Sequence, residues 1–382
     1  ISQATGCCTL ATLFEMRISV VGLGGEEVAN FEADPSWDAK EVLWAVREQG
    51  SAPCARARFF HEHTEFRLGT SLHDIGVRDG AQLRLVWLAP LTVVSASDDG
   101  SAKIWNATSG DCLKTLRHHD ACVTSATFSP DGQRMLTASN DGTLKIWGAA
   151  SGECLRTLVV HGHLAAFSPD GLQILTTCPN RGAKIWSTDS GELLRTLLGH
   201  QARVTSAVFS PKGDEVLTAS HDGEAKIWSA PEGTCLRTFS GHQPACFCSA
   251  SFSRDGHKVA TASFDGTAKV WGAETGECLL KLAGHDDGVS SAAFSPDGQE
   301  LLTASHDGTA KVWSLVSGEC LRTLHGHCAS LCTAVFSPDG QEYLTASHDK
   351  TAKIWDAASG ELLQTLTGHR NKVSSAAFSP TC

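Results

Sequence analysis

Methionine is nearly missing from this 382-residue chain, which has two, and no run of about 18 apolar residues occurs in it. The first scarcity, beside 36 glycines, points to many turns and few helices. The second leaves no segment apolar enough to cross a membrane as a helix, so no membrane partner is expected. A basic excess is also missing. The net charge is −11, which removes the electrostatic footprint of a nucleic-acid binder. With 41 % hydrophobic and 19 % charged residues, the composition excludes disorder and collagen. The length fits two domains, one of them small.

There is no Cys-x-x-Cys pair among the 15 cysteines, and the count is odd. Neither a disulfide framework nor a zinc knuckle is supported, and no metal or cofactor is expected. Five cysteines (Cys112, Cys154, Cys235, Cys278, Cys320) share one recurring slot that holds Leu193 and Leu362 elsewhere. A slot that accepts Leu or Cys reads as an apolar packing position. Reduced thiols then place the chain in the cytoplasm or nucleus, where the sequon at Asn106 goes unused. Residues 1–15 lack a basic stretch and end in Glu15, so they read as leader or fragment sequence rather than a signal peptide.

From residue 91 onward the chain repeats. Seven tryptophans close Lys-Ile/Val-Trp runs: Trp105, Trp147, Trp186, Trp228, Trp271, Trp313 and Trp355, spaced by 42, 39, 42, 43, 42 and 42 residues. Short apolar runs alternate with Pro-Asp-Gly, His-Asp-Gly and Ser-Gly turns, which reads as four hairpin-linked strands per unit. One such unit cannot bury its own faces, so neighbours must stack.

The recurring period, Gly-His pair, Asp-Gly turn and Trp resemble WD40 repeats over residues 91–382. Only Trp355 is followed by the namesake Asp, Asp356. The resemblance implies a mainly β fold, a seven-bladed β-propeller. It also implies a His–Ser–Asp–Trp hydrogen-bond set in each blade. The expected sets are His369, Ser97, Asp99, Trp105; His119, Ser139, Asp141, Trp147; His200, Ser220, Asp222, Trp228; His242, Ser263, Asp265, Trp271; His285, Ser305, Asp307, Trp313; and His327, Ser347, Asp349, Trp355. A nucleophile is unique and exposed, whereas this set recurs, so it is read as structural rather than hydrolytic. The first repeat lacks its innermost strand, and Val373 to Pro380 supplies one. The third repeat departs from the template, with Cys178 and Asn180 in place of Ser and Asp, Pro179 between them, and a loop three residues shorter.

Residues 16–88 do not repeat. Two strands and a Gly-rich turn come first, then a helix at about 38–49 with Asp38 and Glu41 as capping box and Ala39, Val42, Leu43 and Val46 on one face. A short strand at Arg58-Phe59-Phe60 and a last strand, AQLRLVWL, follow. This ordered set resembles a ubiquitin-like (β-grasp) α+β domain. The resemblance places a protein-recognition patch on Leu23, Phe60 and Val86, with Arg84 beside it. The strand runs on into Ala89-Pro90 with no terminal di-glycine, so conjugation is unsupported. Gly22-Leu-Gly-Gly25 joins strand to strand and is not a phosphate cradle.

Candidate binding residues lie where the repeats disagree. The slot before the turn Asp holds Asp98, Asn140, Pro179, His221, Phe264, His306 and His348. The loops opening the innermost strands hold Asp120, Arg203, Asp286-Asp287, Arg370 and Lys372. This mixed-charge rim with one aromatic suits protein or peptide recognition. The rim histidines are expected to lie too far apart to share a metal ion. Cys246-Phe247-Cys248 is read as packing. The expected function is a non-catalytic scaffold or adaptor, with a propeller docking platform and a ubiquitin-like recognition module, binding other proteins, those of the ubiquitin pathway among them. A ubiquitin-ligase substrate receptor is the alternative, weakened because Ala357-Ala358 follows Trp355-Asp356 where such receptors carry Arg. A propeller enzyme needs unmatched polar groups on the axis, and the innermost strands carry Ser, Thr, Ala, Val and Phe.

Overall fold

The computed structural model describes residues 16–22, 24–37, 41–42, 45–46, 57–62, 64–66, 71–87, 91–160, 162–178, 181–242 and 247–380. The chain divides into two compact units, residues 1–90 and 91–382.

The first unit is one mixed sheet. Its strands are β1 (Met16–Val21), β2 (Glu27–Ala33), β3 (Ala57–His61), β4 (Thr64–Phe66) and β5 (Ala81–Trp87), in the order β2-β1-β5-β3-β4. β1 and β5 pair in parallel, and the other neighbours are antiparallel. Alternation puts Ile18, Val20, Leu83, Leu85 and Phe59 on one buried face. Residues 41–42 and 45–46 are helical, and Val42 and Val46 cover that face. Asp38, Ala39 and Leu43 of the expected helical face lie outside the described residues, as do residues 1–15. β4 was not anticipated: its residues read as loop because a three-residue strand is too short to show a period.

In the second unit, the described residues form seven four-stranded antiparallel sheets. The first combines Val373–Phe378 with Thr92–Ser97, Ala102–Asn106 and Cys112–Leu116. The others follow in chain order within residues 123–159, 165–198, 204–240, 247–283, 289–324 and 331–366. The opening strands of the sheets touch in cyclic order, including the seventh against the first and the first against the second.

Packing explains the cycle. The second strand of each sheet is buried along nearly its whole length, so it feeds both faces. In the second sheet Leu136 and Ala138 meet the third sheet, while Met135 and Trp147 meet the first. Seven apolar clusters arise this way, each shared by two consecutive sheets. The cluster between the seventh and first sheets contains Val373, Ala376 and Phe378, so the C-terminal strand belongs to the core. Serines on the opening strands tie neighbours together: Ala126 N–H donates to Ser375 Oγ (3.0 Å), and Ser251 donates to the Ala292 carbonyl (2.9 Å).

The cysteine slot is corrected. Cys112, Cys154, Cys235, Cys278 and Cys320 are all exposed, as are Leu193 and Leu362. They begin the outermost strands, where the sheet edge faces solvent and no neighbour covers them. A side chain there tolerates Leu or Cys because little constrains it, not because it packs.

Candidate protein-binding site

The rim is held by the buried hydrogen-bond sets, and these differ from expectation in one member. The tryptophan N–H does not reach the serine of the Ala-Ser pair. It donates to the residue two positions earlier: Ser95, Thr137, Thr218, Thr261, Thr303 or Thr345, at 2.8–2.9 Å. The register gives the reason. Trp147 lies opposite Met135, and Thr137 is its diagonal neighbour on the same face. Ser139 is on that face too, but one further step of about 7 Å along the strand. Ser97, Ser139, Ser220, Ser305 and Ser347 instead donate to carbonyls of the adjacent loop. Together with Ser263, each also accepts the N–H of its turn aspartate.

The corrected chain has a defined proton direction. Burial lowers the pKa of His119, His200, His242, His285, His327 and His369, with their aspartates offsetting only part of it. These rings are therefore neutral at pH 7. Nδ1 faces a carboxylate at 2.6–3.0 Å and must carry the proton, which it donates. Nε2 is then the acceptor for the Thr or Ser hydroxyl, whose oxygen accepts the indole N–H. Burial alone would raise the carboxyls of Asp99, Asp141 and Asp307. Hydrogen bonds from Ser101, Thr143 and Thr309, and from the histidines, outweigh it and hold them down to about 2. In five sets the aspartate also accepts the N–H of the residue after the histidine, such as Asp286 (3.1 Å) or Arg370 (2.8 Å). The sets thus pin the loops that carry the rim.

The divergent slot sits directly above. The N–H groups of Asp98, Asn140, His221, His306 and His348 donate to the carbonyls of Lys372, Cys122, Arg203, Gly288 and Ser330. This fixes each slot residue beside a loop residue of its own sheet. Neighbouring sheets bring the slots together: His221 and Phe264 have ring centroids 6.4 Å apart, Phe264 and His306 5.4 Å, His306 and His348 6.5 Å. The rim histidines are thus closer than expected, though Phe264 separates His221 from His306. Phe264 is 49 % exposed, and a Cβ on Gly288 would come within 2.9 Å of its ring, so only glycine leaves it room. Lys372 ion-pairs with Asp98 at 3.2 Å, and Ser374 donates to the same carboxylate. Arg203 and Arg370 are exposed. Burial lowers the pKa of His221 and His348, and the nearby Arg203 and Lys372 lower it further.

His163 was missed by the sequence reading. Its Nδ1 lies 2.8 Å from Asn140 Oδ1, joining the third sheet to the arc. The signal was present, because a histidine stands there in a loop that is otherwise shortened. In the first unit, Phe60 is half-buried and pairs across from exposed Arg84, with half-buried Val86 two residues on. The buried phenylalanine is Phe59. Leu23, the fourth patch residue, lies outside the described residues.

Among the described residues one cluster has metal-ligand spacing: His200, Asp222 and Glu224. Its atoms are committed elsewhere. His200 uses both ring nitrogens on Asp222 and Thr218, and Lys226 sits 2.7 Å from Glu224.

Comparisons agree with this architecture. Residues 203–360 match the family described as the fourth β-propeller of WDR90. Residues 110–148 and 360–382 match the WD domain, G-beta repeat. The chain therefore carries WD40 repeats, which generally mediate binding to other proteins. A 45-residue stretch is 44 % identical to nuclear distribution protein PAC1 of Mycosarcoma maydis, covering 12 % of this chain and 10 % of that protein. The protein of the same name from Arthroderma benhamiae is 49 % identical over 45 residues, with the same coverage. The chain thus spans about a tenth of the length of these curated relatives.

Proposed function

We propose that the second unit is a seven-bladed propeller acting as a non-catalytic docking platform for other proteins. The first unit, with its parallel β1–β5 pair and its helical segment over one face, is a ubiquitin-like module that adds a second recognition surface around Phe60, Arg84 and Val86. One observation carries the reading. Six of the seven sheets repeat the same buried hydrogen-bond set among the described residues, yet in the slot beside it they present Asp98, Asn140, His221, Phe264, His306 and His348. Asn140, His221, Phe264 and His348 are exposed, and His221, Phe264, His306 and His348 are contiguous; uniform support under such a varied surface is what partner recognition needs. The WD40 matches and the stretch shared with a nuclear distribution protein support a scaffold.

The test compares affinity capture by the full chain with capture by Phe264→Ala, His348→Ala and Phe60→Ala variants of unchanged melting midpoint. The rim variants should lose one set of partners and Phe60→Ala another. Capture that none of the three substitutions alters would overturn the reading.

A further inference from the structure

Three departures from the repeat template converge on one cleft. Its volume is about 390 Å³, and it lies between the first sheet's turn at Asp99, residues 117–120 leading into the second sheet, and Arg370. Two positions before the set histidine, other repeats have Leu198, Ser240, Ala283, His325 and Thr367, where this seam has Arg117. One position before it these five have glycine, where this seam has His118 and the third repeat Val160. One position after it they have Asp120, Gln201, Asp286 and Cys328, where the first sheet has Arg370. The seam between the first and second sheets alone brings two arginines together at these positions.

Both guanidinium groups are exposed, and among the described residues neither has a carboxylate partner. His118 is steadied by its ring on Trp147, with centroids 5.8 Å apart. Asp99 lines the cleft, but its oxygens are spent inward. Oδ1 accepts Ser101 N–H and Oγ–H, and Oδ2 accepts Arg370 N–H and His369 Nδ1–H. Asp120 is the remaining carboxylate, exposed on the rim. Arg117 and Arg370 balance the charges of Asp99 and Asp120, so on a chain of net charge −11 the cleft is locally neutral, and with Asp99 turned inward the groups it presents to a ligand are chiefly the two arginines.

We propose that this cleft is an oxyanion site that takes a phosphate monoester, gripped by Arg117 and Arg370 with His118 beside them. A guanidinium fork matches two oxygens of a phosphate. Two forks match a group with three free oxygens and two charges better than a carboxylate, which has two oxygens and one charge. The volume exceeds what a phosphoryl group fills and leaves space for the group that carries it. The site is assembled only when the loop at Arg370 lies against the turn at Asp99. Its ligand therefore binds the closed ring and stabilises it by linkage.

The full chain is titrated with inorganic phosphate, a capped phosphoserine peptide and glycerol 3-phosphate, by calorimetry and by melting midpoint. All three should bind saturably and raise the midpoint. Tighter binding of the peptide assigns a protein-borne phosphate, and tighter binding of glycerol phosphate a free one. Arg117→Ala and Arg370→Ala should each weaken inorganic phosphate about tenfold or more, and Arg117→Lys less, because it keeps charge without the fork. Asp120→Asn should tighten it about two- to threefold. Lys212→Ala, on a distant turn, should leave it unchanged. The proposal is overturned if phosphate does not saturate below roughly 10 mM. It is overturned equally if Lys212→Ala weakens binding as much as Arg117→Ala does, or if the Arg117→Ala/Arg370→Ala protein, melting like the parent, binds as the parent does.

Discussion

The third and sixth sheets are built on one template and end differently. In the sixth, a six-residue opening strand, Val289–Phe294, precedes a complete set: Trp313 to Thr303 at 2.8 Å, Thr303 to His285 at 2.8 Å, His285 to Asp307 at 2.7 Å. In the third, the opening strand is Ala165–Phe167, and Trp186 is half-buried. Yet Trp186 still donates to Thr176 at 2.8 Å. His161, Pro179 and Asn180 lie outside the described residues. The tryptophan–threonine half of the set is therefore shared by the third sheet, as a diagonal pair within the sheet. The histidine–aspartate half does a different task, since it ties the loop before the opening strand to the turn after the second strand. Where the loop is short, the opening strand is short as well.

The strongest way to break this comparison is to remove an opening strand altogether. Deleting residues 373–382 strips Val373, Ala376 and Phe378 from the core and bares the edge of Thr92–Ser97. The expected result is aggregation, or a melting midpoint lower by roughly 10 °C or more. A truncated chain that melts with the parent would show that the first sheet does not need its C-terminal strand.

Acid attacks the histidine–aspartate halves together. The folded pKa of each set histidine lies below its ordinary value, so below about pH 6.5 the unfolded chain takes up protons that the folded chain refuses. Stability is then lost as pH falls from about 6.5 toward the folded values. The depressed aspartates, Asp99, Asp141 and Asp307 at about 2, add a second loss of the same sign between about pH 4 and 2. Urea midpoints measured from pH 7.5 to 4.5 should fall steadily. Amide exchange should be fastest in the third sheet at pH 7, and the sixth should approach it as pH falls. Flat midpoints across that range would mean the six histidines are not held neutral.

A sharper cut is Thr303→Val, which keeps shape and removes the hydroxyl. It leaves the Trp313 N–H and His285 Nε2 buried without partners, which costs about 2–4 kcal/mol in urea denaturation. Thr176→Val strands one half-buried N–H and should cost about 1 kcal/mol. Equal costs would mean the two sheets rely on the hydroxyl in the same way.

Much of this was legible in residues 91–382 because duplication prints the same constraint repeatedly. The Trp period, the turns and the pairing of Val373–Phe378 with Thr92–Ser97 all follow from patterns that recur or are conspicuously missing once. The hydroxyl was misplaced because Thr137 and Ser139 share a face, and alternation cannot tell which of the two stands diagonal to Trp147. Strand register decides it, and register is a tertiary property. The exposure of Cys112 and its counterparts was misread for a related reason, since an edge and a core position can both accept leucine. In the first unit, one copy of each element gave less to compare, and the three-residue β4 passed unseen.

The smallest expected effect tests that correction directly. Ser305 donates to the carbonyls of Asp287 and Gly288 at 3.1 and 3.0 Å and accepts the Asp307 N–H. The third sheet has Cys178 at this position, a weaker hydrogen-bonding group whose thiol is pushed up by burial. Ser305→Ala should cost about 1 kcal/mol, less than Thr303→Val, because the Gly288 carbonyl keeps the His306 N–H and Asp287 is an exposed residue. Its exchange signature should be confined to the loop at residues 286–288 and the N–H of Asp307, leaving Trp313 protected. Cys178→Ser should bring a gain of no more than about 1 kcal/mol, since it restores a loop bond and not the tryptophan relay. If Ser305→Ala exposes the Trp313 indole N–H to exchange as Thr303→Val does, the relay runs through the serine and the diagonal assignment is wrong.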